Sequence, residues 1–111
     1  MQIKEQRQGA VSVLTPQGPV CGPDAGVFKS TAEQVMVQTM GRFVVDLSGS
    51  PYVDSEGLEA LVSLTEALAQ SGRMLKLCGT CETVREVLEL TELADLFEHF
   101  QDANAAVRSF L

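Results

Sequence analysis

The chain has no tryptophan, one tyrosine and one histidine, and eight basic residues against fifteen acidic ones. Each scarcity removes a class of function. With His99 as the sole histidine, no Ser/His/Asp arrangement beyond chance is present, and conventional hydrolytic catalysis has no visible machinery. The shortage of lysine and arginine leaves a net charge of −7, a field that opposes a nucleic-acid backbone or an anionic membrane surface. Nucleic acid is therefore excluded as an expected partner. No uninterrupted apolar run is long enough to span a bilayer, and the amino-terminal "MQIKEQRQG" lacks the apolar core of a signal peptide. The expectation is a cytoplasmic protein without membrane insertion. Three cysteines, Cys21, Cys78 and Cys81, are an odd number and argue against a disulfide framework. No phosphate loop of the "GxxxxGK" type occurs, and no cofactor is implied.

What is present is material for one domain over residues 1–111. A chain of 111 residues with 45% hydrophobic content can bury a real core without metal or disulfide staples. Two alternating segments, Gln2 to Arg7 and Ala10 to Leu14, flank Gly9 and read as a hairpin. "TPQGPVCGPDAG" holds three of the four prolines and reads as loop or extended edge. From about Asp24, Val27, Phe28, Val35 and Met36 fall on one side of a helical period, which Gly41 stops. "RFVVDL" is a buried-strand candidate, "SGSPYV" a turn, and Leu58, Leu61, Val62 and Leu68 mark a helix ended near Gly72. "RMLKLC" returns to strand, Val84, Val87, Leu88 and Leu90 open another helix, and Asp102 caps a last one with Ala103, Ala106, Val107 and Phe110 facing the core. Strands alternating with helices imply parallel neighbours. The expected class is α/β, a small mixed four-stranded sheet with helices packed mainly on one face.

Three stretches carry candidate chemistry. "CGTC", Cys78 to Cys81, sits where a strand gives way to a helix, a place where a thiol pKa can fall and serve redox exchange. Thioredoxin-like sites ordinarily also need a proline downstream of the dithiol, and here every proline precedes it. The plainer reading is two small structural cysteines. Zinc needs about four ligands, and Cys21 and His99 would have to converge on the pair; no metal site is expected. Glu82, Glu86 and Glu89 lie at helical spacing opposite the apolar stripe and read as a solvated face. In "VVDLSGSPYVDSEGLEALV", Ser48 and Ser50 flank a glycine before Pro51 and read as turn residues. Asp54 or Ser55 is placed to cap the helix beginning near Glu56. The same geometry exposes a hydroxyl where free N–H groups and the helix dipole accommodate a phosphate, and Gly57 would leave the first turn open to a partner.

The strings "FVVDLSGSPYVDSEGLEALVSLTEAL" and "GRMLKLCGTCETVREVLELTELADLFEHF", with the closing "DANAAVRSFL", resemble the STAS domain, the fold shared by anti-sigma factor antagonists and the cytosolic tails of sulfate transporters. The resemblance runs over essentially the whole chain. It implies a bacterial phosphoprotein without catalytic residues, a switch in transcription regulation. In it, Ser55 matches the serine offered to an anti-sigma factor that doubles as a serine kinase. Asp54 matches the acidic residue before it, Gly57 and Leu58 the start of the recognition helix, and Asp46 the aspartate ending the central strand. A phosphoserine phosphatase would reverse the modification. The chain departs from the family at "GPVC", where Cys21 stands in place of an aspartate, with Asp24 the nearest acid to substitute. Glu56 beside Ser55 is more acidic than the small residue often found there, which bears on partner choice. Two other readings stay open: a non-switching STAS subunit of a stress-sensing or lipid-transport complex, and a thiol redox protein using Cys78 and Cys81.

Overall fold

The computed structural model describes all 111 residues. The chain opens with a hairpin, β1 (Gln2–Gln8) and β2 (Val11–Gln17), paired antiparallel from Gln2 against Gln17 to Gln8 against Val11. Gly9 takes φ 64° in the connection, the left-handed geometry that matches a two-residue turn to the twist of its strands. The remaining strands are parallel and separated by helices: α1 (Pro23–Thr39), β3 (Phe43–Asp46), α2 (Ser55–Ala69), β4 (Leu75–Cys78), α3 (Glu82–Leu90), β5 (Phe97–Phe100) and α4 (Ala103–Arg108). A short 3₁₀ turn, Ala94–Leu96, leads into β5. Strand order follows chain order, β1-β2-β3-β4-β5.

The sheet therefore has five strands where the sequence suggests four. The missed strand is "FEHF", which pairs parallel with β4 from Phe97 against Leu75 to Phe100 against Cys78. Its four residues follow a helical-looking "LADL", and the parallel partner that makes them a strand lies more than twenty residues away. Local pattern cannot reveal such a pairing.

Both faces of the sheet are covered. Leu14, Val45, Leu75 and Leu77 point into a large apolar cluster with α1, α2 and α3, anchored by Phe28, Leu61, Leu64 and Leu88. Val11, Val13, Val44 and Cys78 point the other way, under α4 and its Ala106. Burial on both sides explains why β3 reads as a run rather than an alternation; β2, whose opening residues read as an alternation, is likewise buried on both faces from Val11 to Leu14. Three helices on one face and the six-residue α4 on the other is the expected one-sided arrangement with a small lid.

Two helical stripes differ in phase from expectation. On α1 the buried residues are Ala25, Phe28, Ala32, Val35 and Thr39, while Val27 is half exposed. Ala32 and Thr39 carry the stripe, and the Thr39 hydroxyl is satisfied by donating to the Val35 carbonyl at 2.7 Å. On α2 the buried face is Gly57, Ala60, Leu61, Leu64, Thr65 and Leu68; Leu58 and Val62 pack on its flank. Pro23 begins α1, where its missing N–H costs nothing. Met40 (φ 55°) and Gly41 (φ 84°) end it, the Gly41 N–H donating to the Met36 carbonyl at 2.9 Å as a left-handed C-terminal cap requires.

Candidate functional site

The loop from β3 to α2 and the loop from β2 to α1 meet at the carboxyl end of the parallel strands. Val20 and Val53 form an isolated parallel bridge between them. Asp54 then locks the two together: Oδ1 accepts from the Gly57 N–H at 2.9 Å and Oδ2 accepts from the Gly22 N–H at 3.0 Å. Asp54 is thus the N-cap of α2. The Gly57 N–H, then the Gly22 N–H, stabilise the ionised form and hold the Asp54 carboxyl below its ordinary value, against a smaller opposing effect of burial.

Because Asp54 supplies the cap, Ser55 does not. Ser55 is the first residue of α2, is exposed, and its hydroxyl makes no hydrogen bond within the chain. The sequence leaves Asp54 and Ser55 as equal cap candidates because both carry a short oxygen-bearing side chain. The cap itself is the local bond from the Gly57 N–H, three residues on, and the other Asp54 oxygen is held by Gly22, thirty-two residues away.

Gly57 is buried, not open to solvent. A Cβ there would overlap the Val20 carbonyl oxygen and come within 3.2 Å of the Val53 Cβ. The missing side chain makes room for the chain's own loop, which corrects the expectation that it leaves the turn open to a partner. Leu58 is half-buried against the main core. Glu56 is exposed and shares a shallow groove between α1 and α2 with Ala25, Gly26, Lys29, Glu59 and Ala60. Lys29 and Gly22 are among the members of this region that sequence reading missed; Lys29 is brought in by the α1–α2 packing and Gly22 by its bond to Asp54, and neither has a local signal.

Asp24 lies in the first turn of α1, with Oδ1 3.4 Å from the Met1 amino nitrogen. It makes no bond to the Ser55 loop. Cys21 is half-buried with its Sγ 4.0 Å from the Tyr52 hydroxyl. That contact, then repulsion from the sulfur whenever it is ionised, pushes the Tyr52 phenol above its ordinary value. Asp46, at the end of β3, accepts from the Ser48 N–H at 2.9 Å and presses on Gly79, where a Cβ would lie 2.7 Å from its Oδ1. It shapes the turn that leads toward Ser55 from the α4 side of the sheet.

The two cysteines of "CGTC" are not a matched pair. Cys78 is fully buried beneath α4, and burial, then the charges of Asp46 and Asp102, push its thiol up to about 12. Cys81 packs against the other cluster, with Sγ 3.5 Å from the Pro51 carbonyl oxygen. A redox dithiol needs a lowered pKa on an accessible sulfur, and Cys78 has the opposite on both counts. No three of the His, Cys, Asp and Glu side chains gather as a metal would need.

A small α/β domain of this topology, with an exposed serine following the Asp54 cap at the start of its second helix, defines a class. The STAS domain family model matches residues 2–106, and the chain belongs to the STAS domain family. Among solved structures it is similar to a candidate anti-sigma factor antagonist from Thermotoga maritima, at 21% identity over 96% of this chain and 92% of that one, TM-score 0.87. An anti-sigma factor antagonist from Mycobacterium paratuberculosis matches at 20% identity over 97% and 92%, TM-score 0.83. The antagonist SpoIIAA in its unphosphorylated form matches at 14% identity over 98% and 96%, TM-score 0.77; SpoIIAA of Bacillus is also solved in a phosphorylated form. No curated protein matches the chain by sequence. No helix is long and apolar enough to cross a membrane.

Proposed function

We propose that the chain, acting as one domain over residues 1–111, is an anti-sigma factor antagonist, a cytoplasmic protein-interaction switch thrown by phosphorylation of Ser55. One observation carries the reading: Asp54 caps α2, so the Ser55 hydroxyl is exposed and uncommitted on a rigidly held helix start. The γ-phosphoryl group of ATP passes to Ser55 Oγ as its bond to the β-phosphate oxygen breaks, ADP leaves and the hydroxyl proton goes to a base of the bound partner, an anti-sigma factor that is also a serine kinase. The product carries about −1.5 to −2 added charges.

Those charges arrive beside Asp54, Glu56 and Glu59, with Lys29 the one base in the adjoining groove. The helix N-terminus tolerates a phosphate, so the domain itself remains folded. The interface does not tolerate it, because the added charge must be desolvated against a surface already acidic. The partner is released until a phosphoserine phosphatase hydrolyses the ester. Ser55 and Glu56 contact the partner directly and Leu58 flanks them, while Asp54 and Gly57 fix the presenting loop. Asp24 and Asp46 border the partner surface, and Cys21 changes it where related domains carry an acid.

Incubation with the anti-sigma kinase of its own cell and ATP, followed by mass spectrometry, tests the assignment. Phosphate on Ser55 and none in Ser55→Ala is the expected result. Modification of Ser48, Ser50 or Thr80 that persists in Ser55→Ala would remove it. A non-switching STAS subunit would take no phosphate at all.

A further inference from the structure

β1 ends one side of the sheet with no strand beyond it. All seven of its residues pair with β2, so its alternate N–H and C=O groups on the far side form a row that another strand can extend. Charges on an edge usually discourage such pairing. β1 carries Lys4, Glu5 and Arg7, and the ion pairs within the chain, Met1 with Asp24 and Lys76 with Glu98, use none of them. The charges either block every register or select one.

Two-fold symmetry decides which. A second copy rotated about an axis perpendicular to the sheet pairs antiparallel, and the rotation leaves each side chain on its own face. Opposed residues must share a face, so their numbers add to an even sum. Counting along Gln2–Gln8, a sum of 8 sets Lys4 against Lys4, a sum of 10 sets Glu5 against Glu5, and a sum of 14 sets Arg7 against Arg7. A sum of 12 sets Gln6 against Gln6, with Glu5 facing Arg7 on both sides of the axis and Lys4 facing Gln8 beyond them. It is the one central register with opposite charges directly opposed; the like pairs Glu5–Glu5 and Arg7–Arg7 meet only across the longer diagonals.

We infer that β1 is a self-association edge, where two copies of the chain join antiparallel about Gln6 through two reciprocal Glu5–Arg7 pairs into one continuous sheet. Glu5 is ready for the role: Oε2 accepts from the Ser12 hydroxyl at 3.1 Å, which fixes the carboxylate and leaves Oε1 for a guanidinium. Two chains of −7 repel at long range, but physiological salt screens beyond about 8 Å and leaves contact pairs effective. The association is accordingly weak and concentration-dependent.

Sedimentation equilibrium of the whole chain over a dilution series tests this. The expected result is a reversible shift toward twice the 11.9 kDa chain mass. Arg7→Glu or Glu5→Arg alone sets like charges opposite and should raise the dissociation constant about tenfold or more. The double exchange, Glu5→Arg with Arg7→Glu, should restore association. Far-UV circular dichroism confirms that each variant is folded. A monomer at every concentration, a dimer indifferent to Arg7→Glu, or a double exchange that restores nothing would each overturn the inference.

Discussion

A methyl group at position 57 would have to share the space of the Val20 carbonyl oxygen, and this reverses the usual sign of a substitution. In an exposed helix, Gly→Ala gains about 1 kcal/mol. Here Gly57→Ala should instead lose roughly 1–3 kcal/mol by overpacking against backbone, read as a lowered urea midpoint; a gain would mean that the two loops are not in contact. Asp54 makes a second prediction at this scale. Its folded pKa lies below the ordinary aspartate value of about 3.9, so the stabilisation it supplies is full above that value and is lost as pH falls through the depressed folded one. Asp54→Asn should therefore lose less stability on acidification below about pH 4 than the unaltered chain does, measured as melting temperature against pH. Cys78 gives a third. With a thiol pushed up to about 12 and no exposure, it should resist alkylation in the folded protein under conditions that modify the half-buried Cys21 and Cys81. Rapid labelling of Cys78 would reopen a thiol role.

Between elements, Thr65 joins three that sequence spacing does not connect. Its hydroxyl donates to the Leu96 carbonyl at 2.7 Å and accepts from the Leu75 N–H at 3.1 Å, tying α2 to the start of β4 and to the turn before β5. Thr65→Val keeps the shape and strands both backbone groups, at a cost of about 1–3 kcal/mol for each left unsatisfied, again read from denaturant unfolding. The sequence displays what is local: the hairpin around Gly9, the strand "FVVD", and the cap of α4, where the Asp102 carboxylate accepts from the Ala105 N–H at 2.8 Å. It hides what depends on distant partners. β5 is a strand because β4 lies beside it; Ala32 and Thr39 are core residues because the sheet lies beneath them. The site divides the same way. Ser55 and Asp54 are visible as a helix start, whereas the Gly22 contact that holds the second Asp54 oxygen is non-local.

At the scale of the whole molecule, the acidic surface, the packing on both faces of the sheet and the loop cluster at the carboxyl end of the strands have separate duties. The core holds α1 and α2 side by side, the Val20–Val53 bridge and Asp54 align their starts, and under the proposed switch a phosphate there would add to a net charge already at −7. The β1 edge, formed by the opening hairpin, is a different surface, so the proposed self-association and the proposed partner binding should respond to separate substitutions. The most direct measurement is the affinity of the partner anti-sigma kinase for the unaltered chain, Ser55→Ala and Ser55→Asp under identical conditions. The switch predicts that Ser55→Ala binds as the unaltered chain does and that Ser55→Asp binds about tenfold or more weakly, because a charge is placed in a desolvated interface. Equal affinity for all three, with phosphorylation of Ser55 also leaving binding unchanged, would contradict it.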